Sequence, residues 1–250
     1  MSGPMTQRAA ASQAKQFVHD SIDRLGLPSD VVLSVLSATE EGSGGRDLAS
    51  LVEQDPVLAG RILRMARSPF FSGTRPVTTV LEAVNRLGAR PIRNLVIASE
   101  LRDRSSEAPD YYAPGGFMTH SLTSGTLCRA VAAESRQFER DLAYLAGLMH
   151  DVGELCPVDG LDHTVVGAMI SARWRLPDAI RDAIALHHES NVESGTLAGL
   201  VCACDFVCRA SGVGLREPMA VPTPPATLRV WVDSCKTHLE EAMETARAIG

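Results

Sequence analysis

Apolar residues recur at helical spacing along most of this chain. Leu48, Leu51 and Val52, then Leu58, Ile62 and Leu63, fall three and four positions apart, as the buried face of a helix requires. Between the two groups lies Asp55-Pro56, a capping aspartate followed by proline at the first helical position. One helix therefore ends and another begins within a tight turn. This helix-turn-helix shares only its outline with a DNA-binding motif, because the apolar run VLAGRILRMA predicts a packed second helix. Thr79 and Glu82 spell a capping box ahead of Val80, Leu81, Val84 and Leu87, and Gly88 closes that helix. A further helix is expected from about Pro91 to Arg102. The stretch SSEAPDYYAPGG breaks the periodicity and predicts a linker between two helical lobes.

The second half continues the pattern. Helices are expected from His120 through Ala133, from Asp141 to Asp151 with a stop at Gly153, from His163 to Trp174, from Pro177 to His188, and from Thr196 to Ala210. The run EPMAVPTPP predicts an extended or disordered segment, followed by a last helix from Thr227 to Ala248 with Leu228, Trp231, Val232 and Cys235 on one face. No internal repeat or alternating strand pattern interrupts this, so the fold class is all-α. The organisation expected is a tail over 1–23, one domain over 24–214 built from lobes at 24–104 and 117–214, and a proline-rich linker with a C-terminal helix over 215–250.

Composition narrows the picture. Hydrophobic residues make up 45% of the chain and aromatics only 4%, which favours helices packed through aliphatic side chains. A net charge of −6 offers no general attraction to nucleic acid or to anionic lipid. Arg86, Arg90, Arg93 and Arg102 read as a solvated helix face rather than a basic patch. There is no apolar run of membrane-spanning length, and the first residues lack the apolar core of a secretory signal, so a cytoplasmic location without membrane attachment is expected. Six cysteines at 128, 156, 202, 204, 208 and 235 form no CxxC pair and are expected as buried, reduced thiols.

Five of the seven histidines fall between His120 and His188: His120, His150 beside Asp151, His163, and the doublet His187-His188. Asp205 follows in the otherwise apolar segment LVCACDFVC. Imidazole and carboxylate are the side chains that hold divalent ions, and a helical bundle builds such a site from several helices. Neighbours in mid-helix point about 100° apart, but at a helix's last turn His150 and Asp151 can both reach one pocket. An aspartate buried in Asp205's position requires a partner such as His150 or a cation. Spacing alone leaves two readings open, a metal-lined pocket and a hydrogen-bonded histidine core.

His120, His150-Asp151 and Asp205 match the pattern of the HD superfamily of metal-dependent phosphohydrolases. Further segments, in order, resemble its HDOD subgroup of bacterial signalling proteins: EQDPVLAGRILRMARSPFF, VTTVLEAVNRLGARPIRNLVI, LAYLAGLMHDVGEL and HTVVGAMISARWRLPDAIRDAIALHHE. The resemblance runs from about Pro28 to Ser211 and implies an N-terminal helical lobe packed on an HD-like bundle. It also implies a regulatory or scaffolding role, since HDOD proteins are mostly regarded as such modules. Related HD-GYP enzymes hydrolyse cyclic di-GMP at a multi-metal centre. Motif matching carries its ligands to His120, His150, Asp151, His163, His187, His188 and Asp205, with iron, manganese, zinc, nickel or magnesium as the implied metal. Several positions depart from those relatives. Glu154 stands where a lysine is usual, the Gly-Tyr-Pro loop is absent from HHESNVESG, Arg67 replaces an asparagine, and the segment from Leu155 to His163 is short. An inward-pointing Glu154 would repel an anionic substrate. The reading favoured is therefore a regulatory protein that acts as a binding or scaffolding module for signalling proteins, its histidine-aspartate cluster either a retained metal site or a hydrogen-bonded core. The alternative is a metal-dependent phosphohydrolase acting on a cyclic dinucleotide, a nucleotide second messenger, or another nucleotide.

Overall fold

The computed structural model describes residues 29–67, 76–217, 219 and 222–249; the expected tail over 1–23 lies outside them. Local sequence explains most helix boundaries. Helix α1 (Asp30–Glu40) starts where Ser29 accepts a hydrogen bond from the Val32 N–H, and α2 (Gly45–Val52) follows. At the start of α3 (Pro56–Ala66), the Asp55 carboxylate accepts from the backbone N–H groups of Val57 and Leu58 at 2.8 and 3.1 Å. The expected capping box opens α4 (Val80–Leu87), with the Glu82 N–H donating to Thr79 Oγ1 while Glu82 accepts from the Thr79 N–H. Gly88, at φ +80°, ends α4 and also starts α5 (Ala89–Arg104). The left-handed backbone at Gly88 lets α5 begin two residues before the Pro91 that periodicity suggests.

These five helices close a first lobe around Val35, Val52, Ile62, Val84, Ile92, Val96 and Leu101. Helix α5 packs against α1, α3 and α4 on one side and meets the second lobe on the other. There Asn94 donates to the Asp141 carbonyl, and Arg90 pairs with Glu139 at 3.1 Å.

The second lobe comprises α6 (Gly116–Ser135), α7 (Arg140–Met149), α8 (His163–Arg173), α9 (Asp178–Leu186), α10 (Leu197–Ala210) and α11 (Arg229–Ile249). Short 3₁₀ turns cover Ser105–Glu107, Val152–Leu155 and Ala226–Leu228. The last of these takes the place of the first turn expected for the C-terminal helix. Helix α11 lies on α6 and α10, burying Leu228, Trp231, Val232 and Cys235 as one face, with Trp231 edge-on to Phe138. Among the described residues the regular elements are all helices, with no strand. No described helix is long and apolar enough to cross a membrane.

The segment expected to be a plain linker does more than connect. Tyr112 is only 3% exposed and forms an antiparallel bridge with Leu215. The linker backbone therefore pairs with the turn after α10, and its tyrosine enters the core of the second lobe.

Candidate metal centre

Five helices deliver the side chains singled out by the sequence, three of them at their ends. Helix α7 stops at Met149, so His150 and Asp151 stand on the turn just beyond it, as the HD dyad requires. The 3₁₀ turn that follows presses against α8, and a β-carbon on Gly153 would lie 2.0 Å from the His163 carbonyl oxygen. Only glycine permits that approach, which sets His163 beside Asp151. Helix α8 begins at His163, with Asp162 accepting from the Thr164 N–H. Helix α9 ends at Leu186, which places His187 and His188 past its last turn. His120 comes from α6 and Asp205 from α10.

All seven side chains meet, in two groups that share Asp151. The first contains His120, His150, Asp151 and Asp205, all buried. Its atoms are evenly spaced. His120 Nε2 lies 3.2 Å from His150 Nε2, 3.1 Å from Asp205 Oδ1 and 3.4 Å from Asp151 Oδ2. His150 Nε2 lies 3.2 Å from Asp151 Oδ2 and 3.3 Å from Asp205 Oδ1. These five contacts of 3.1–3.4 Å bring two imidazole nitrogens and two carboxylate oxygens, ligand types that zinc and similar ions take, close enough to share one divalent ion.

The second group contains Asp151, His163, His187 and His188. Here the other oxygen of Asp151, Oδ1, lies 3.4 Å from His163 Nε2 and 3.7 Å from His187 Nε2. Asp151 Oδ1, His163 Nε2 and His187 Nε2 are buried without a hydrogen-bond partner. The His163 side chain keeps 20% of its surface and His188 is exposed, so this group faces solvent.

Two histidines have their tautomers set by the backbone. His150 Nδ1 donates to the Gly147 carbonyl at 2.8 Å, and His187 Nδ1 donates to the Ile184 carbonyl at 2.7 Å. With Nδ1 so engaged, Nε2 is the atom each ring presents to the centre, the usual arrangement behind a metal-binding histidine.

Three further residues complete the cluster. Arg209, one helical turn beyond Asp205, donates from Nε to Asp205 Oδ1 at 2.8 Å. Its Nη2 donates to Asp151 Oδ2 and, at 3.2 Å, to Glu154 Oε1. Tyr112 Oη lies 2.8 Å from Glu154 Oε2 and 3.0 Å from Asp151 Oδ2. The Asp205–Arg209 spacing in an apolar helix was a readable signal for the arginine. Glu154 was visible only as a departure from relatives, and nothing in the linker marked Tyr112. Glu154 does point inward, but Arg209 and Tyr112 hold both its oxygens, which answers the repulsion expected of it.

The electrostatics follow from this packing. Burial opposes ionisation of Asp151, yet the charges of His150 and Arg209 outweigh it and hold the carboxyl well below its usual range. Burial likewise opposes Asp205, and hydrogen bonds from His120 and His150 with the Arg209 charge reverse the effect. His120 and His150 are raised, because the two aspartates overcome the burial that would lower them. Partial loss of hydration among its neighbours and the adjacent His187 push His188 down to about 4, although its side chain still reaches solvent. Burial and the adjacent carboxylates raise Tyr112 far above an ordinary phenol, so it remains a donor.

The donor set fits a divalent ion in each group. The first offers two nitrogens and two carboxylate oxygens with contacts of 3.1–3.4 Å. In the second, Asp151 Oδ1 meets His163 Nε2 at 3.4 Å, and neither these atoms nor His187 Nε2 makes a well-formed hydrogen bond. A hydrogen-bonded histidine core, the other reading open from spacing, accounts for most contacts of the first group and leaves those three atoms poorly satisfied.

Comparison with known proteins supports the fold. Ribonuclease Y of Acholeplasma laidlawii (strain PG-8A) is 30% identical over 197 residues, which cover 77% of this chain and 36% of that protein. The chain spans about a third of the length of the curated relatives it matches. An HDOD domain protein of unknown function from Geobacter sulfurreducens has the same fold, with a TM-score of 0.73 at 20% identity over 96% of this chain and 97% of that one. A candidate phosphohydrolase from Shewanella amazonensis SB2B superposes with a TM-score of 0.66 at 18% identity, over 94% and 98% of the two chains. The HD domain pattern matches residues 117–211, the stretch that holds all seven candidate ligands, and the HDOD domain pattern matches residues 25–160. With more than half of its length matched, the chain belongs to the HDOD domain family.

Proposed function

We propose that this protein is a divalent-metal-dependent phosphohydrolase, acting on a phosphate ester that approaches from the side of His163 and His188. The observation that carries the reading is the convergence of three buried atoms that lack a well-formed hydrogen bond, Asp151 Oδ1 with His163 Nε2 at 3.4 Å and His187 Nε2 at 3.7 Å. Leaving such groups unsatisfied costs about 1–3 kcal/mol each, and a single cation satisfies all three. A bound divalent ion supplies Lewis acidity toward a phosphoryl oxygen and lowers the pKa of water. The protein's own residues prepare the place. Backbone carbonyls at Gly147 and Ile184 keep Nε2 of His150 and of His187 aimed inward. Asp151 serves the two groups with separate oxygens, and Arg209 and Tyr112 hold the carboxylates in register.

Two considerations set phosphoester chemistry above a purely regulatory role. Glu154, the residue that argued against an anionic substrate, has its charge taken up by Arg209. The names of the ribonuclease Y relative and the Shewanella structure both point to phosphoester cleavage. A nucleotide or cyclic dinucleotide diester is the substrate class we favour, with iron or manganese among the candidate metals. The test is hydrolysis of bis(p-nitrophenyl) phosphate with Mn²⁺ or Fe²⁺. Activity is expected in the wild type, with loss on chelation and in Asp151→Ala.

A second reading, a metal-holding module that binds signalling proteins, is favoured by one observation. Leu161, Val165 and Met169 stand four positions apart and are 37–46% exposed, an apolar stripe along the start of α8. Stoichiometric metal in a protein that cleaves neither the generic diester nor cyclic dinucleotides would move the conclusion to this reading.

A further inference from the structure

Charge limits how many divalent ions the centre can hold. Around the first group, Asp151, Asp205 and Glu154 set three carboxylates against one guanidinium, Arg209. Imidazoles bind metals as neutral ligands, so the protein contributes a formal charge of −2. One divalent ion cancels that charge within a shell where His120, His150 and Asp151 are wholly buried. A buried charge left without compensation is strongly unfavourable, so the first ion is well matched to its site.

The second group brings no new buried carboxylate. Its acidic member is Asp151, already counted, and the rest of its ligands are His163, His187 and His188. Asp162 sits behind His163, 3.4 Å from Nδ1, but its side chain is 64% exposed and caps the Thr164 N–H. Water screens most of its charge. A second divalent ion would therefore place two uncompensated positive charges beside fully buried His187 and Asp151. The open side at His163 and His188 is where an anion can reach it.

We propose that the centre takes up its two ions in different ways, and that Arg209 sets the difference. One ion is resident in the buried first group. The other, drawn to the unsatisfied atoms of the second group but not balanced in charge there, survives removal of free metal only together with an anion of the phosphate class, which carries the missing negative charge into the open group. The proposal rests on the divalent-metal reading of the centre and adds the ligand chemistry and the order of loading. With Arg209 neutralised, the same carboxylates amount to −3, so the excess positive charge of two ions falls from two to one and the second ion depends less on the anion.

The test is the metal content of the full chain, loaded with Mn²⁺ and desalted into metal-free buffer with or without inorganic phosphate. Elemental analysis counts the ions, and electron paramagnetic resonance of the coupled manganese pair reports the second one. Wild type is expected to retain one ion per chain without phosphate and two with it. Arg209→Lys, which keeps the charge, should behave as wild type. Arg209→Gln should retain more than one ion per chain without phosphate and two with it. Two ions in wild type without phosphate, or one regardless of phosphate, would overturn the proposal. A folded Arg209→Gln that holds a single ion without phosphate would remove Arg209 from its role. Should Arg209→Gln fail to fold, the phosphate dependence of wild type still decides the main point. Failure to retain any ion in either buffer would sink the metal reading itself, a result distinct from the others.

Discussion

The two lobes are built from the same kind of amphipathic helix but fill their cores differently. Among the described residues, the buried polar side chains of the first lobe are Asn94 and Ser99, and its charges stay at helix ends and on the surface. The second lobe buries His120, His150, Asp151, Glu154, His187, Asp205 and Arg209 in one connected cluster. A buried ionic cluster is seldom more stabilising than apolar packing of the same volume. The first lobe shows that these helices need no such cluster in order to pack. Its presence in the second lobe is therefore best understood through binding chemistry, with stability conceded to obtain it.

Paired substitutions probe this contrast. The largest effect is expected for Arg209→Met measured in chelator, which strands three buried carboxylates and should cost about 3–5 kcal/mol in urea unfolding. Its counterpart in the first lobe, Arg61→Met, breaks the half-exposed pair with Asp103 and should cost no more than about 1 kcal/mol. Equal losses would erase the distinction between the two cores. Gly153→Ala comes next, since the added carbon collides with the His163 carbonyl. A destabilisation of about 1–3 kcal/mol is expected, with weaker metal retention in the second group. Gly60→Ala, on a helix position with open space around it, should instead stabilise the protein by up to about 1 kcal/mol.

Asp55→Ala removes the α3 cap and should cost about 1 kcal/mol while leaving metal content unchanged. The smallest effect concerns pH. Hydrogen bonds from the Thr78 backbone and side chain, then the Thr79 backbone, hold the exposed Glu82 carboxyl at about 2 instead of 4.5. Because the folded value is depressed, its stabilisation is present above pH 4.5 and fades as pH falls toward 2. Comparing acid unfolding of wild type and Glu82→Gln isolates that contribution. An acid limb identical in the two proteins would show that the capping box contributes nothing through ionisation.

The first lobe was largely legible before any coordinates. Asp55-Pro56, Thr79 with Glu82, and Gly88 act on backbone groups within a few residues, so their identities alone announce the helix ends they make. The candidate ligands were legible by type, because His150-Asp151 and His187-His188 stand just past helix ends where paired side chains can converge. The direction of Glu154 was not legible, and neither was the entry of Tyr112 from a segment that shows no periodicity. Both depend on how the 3₁₀ turn after α7 and the linker pack together, which no local pattern encodes.

What the sequence by itself determined is the all-helical architecture, its caps and stops, and a supply of imidazoles and carboxylates suited to divalent ions. Tertiary structure alone decided that Asp151 divides its two oxygens between neighbouring groups, and that Arg209 reaches across 58 positions to hold it. The reason is physical. Periodicity and capping are short-range properties of one helix, whereas the charge balance of a buried centre is settled only when several helices bring distant side chains within contact of one another.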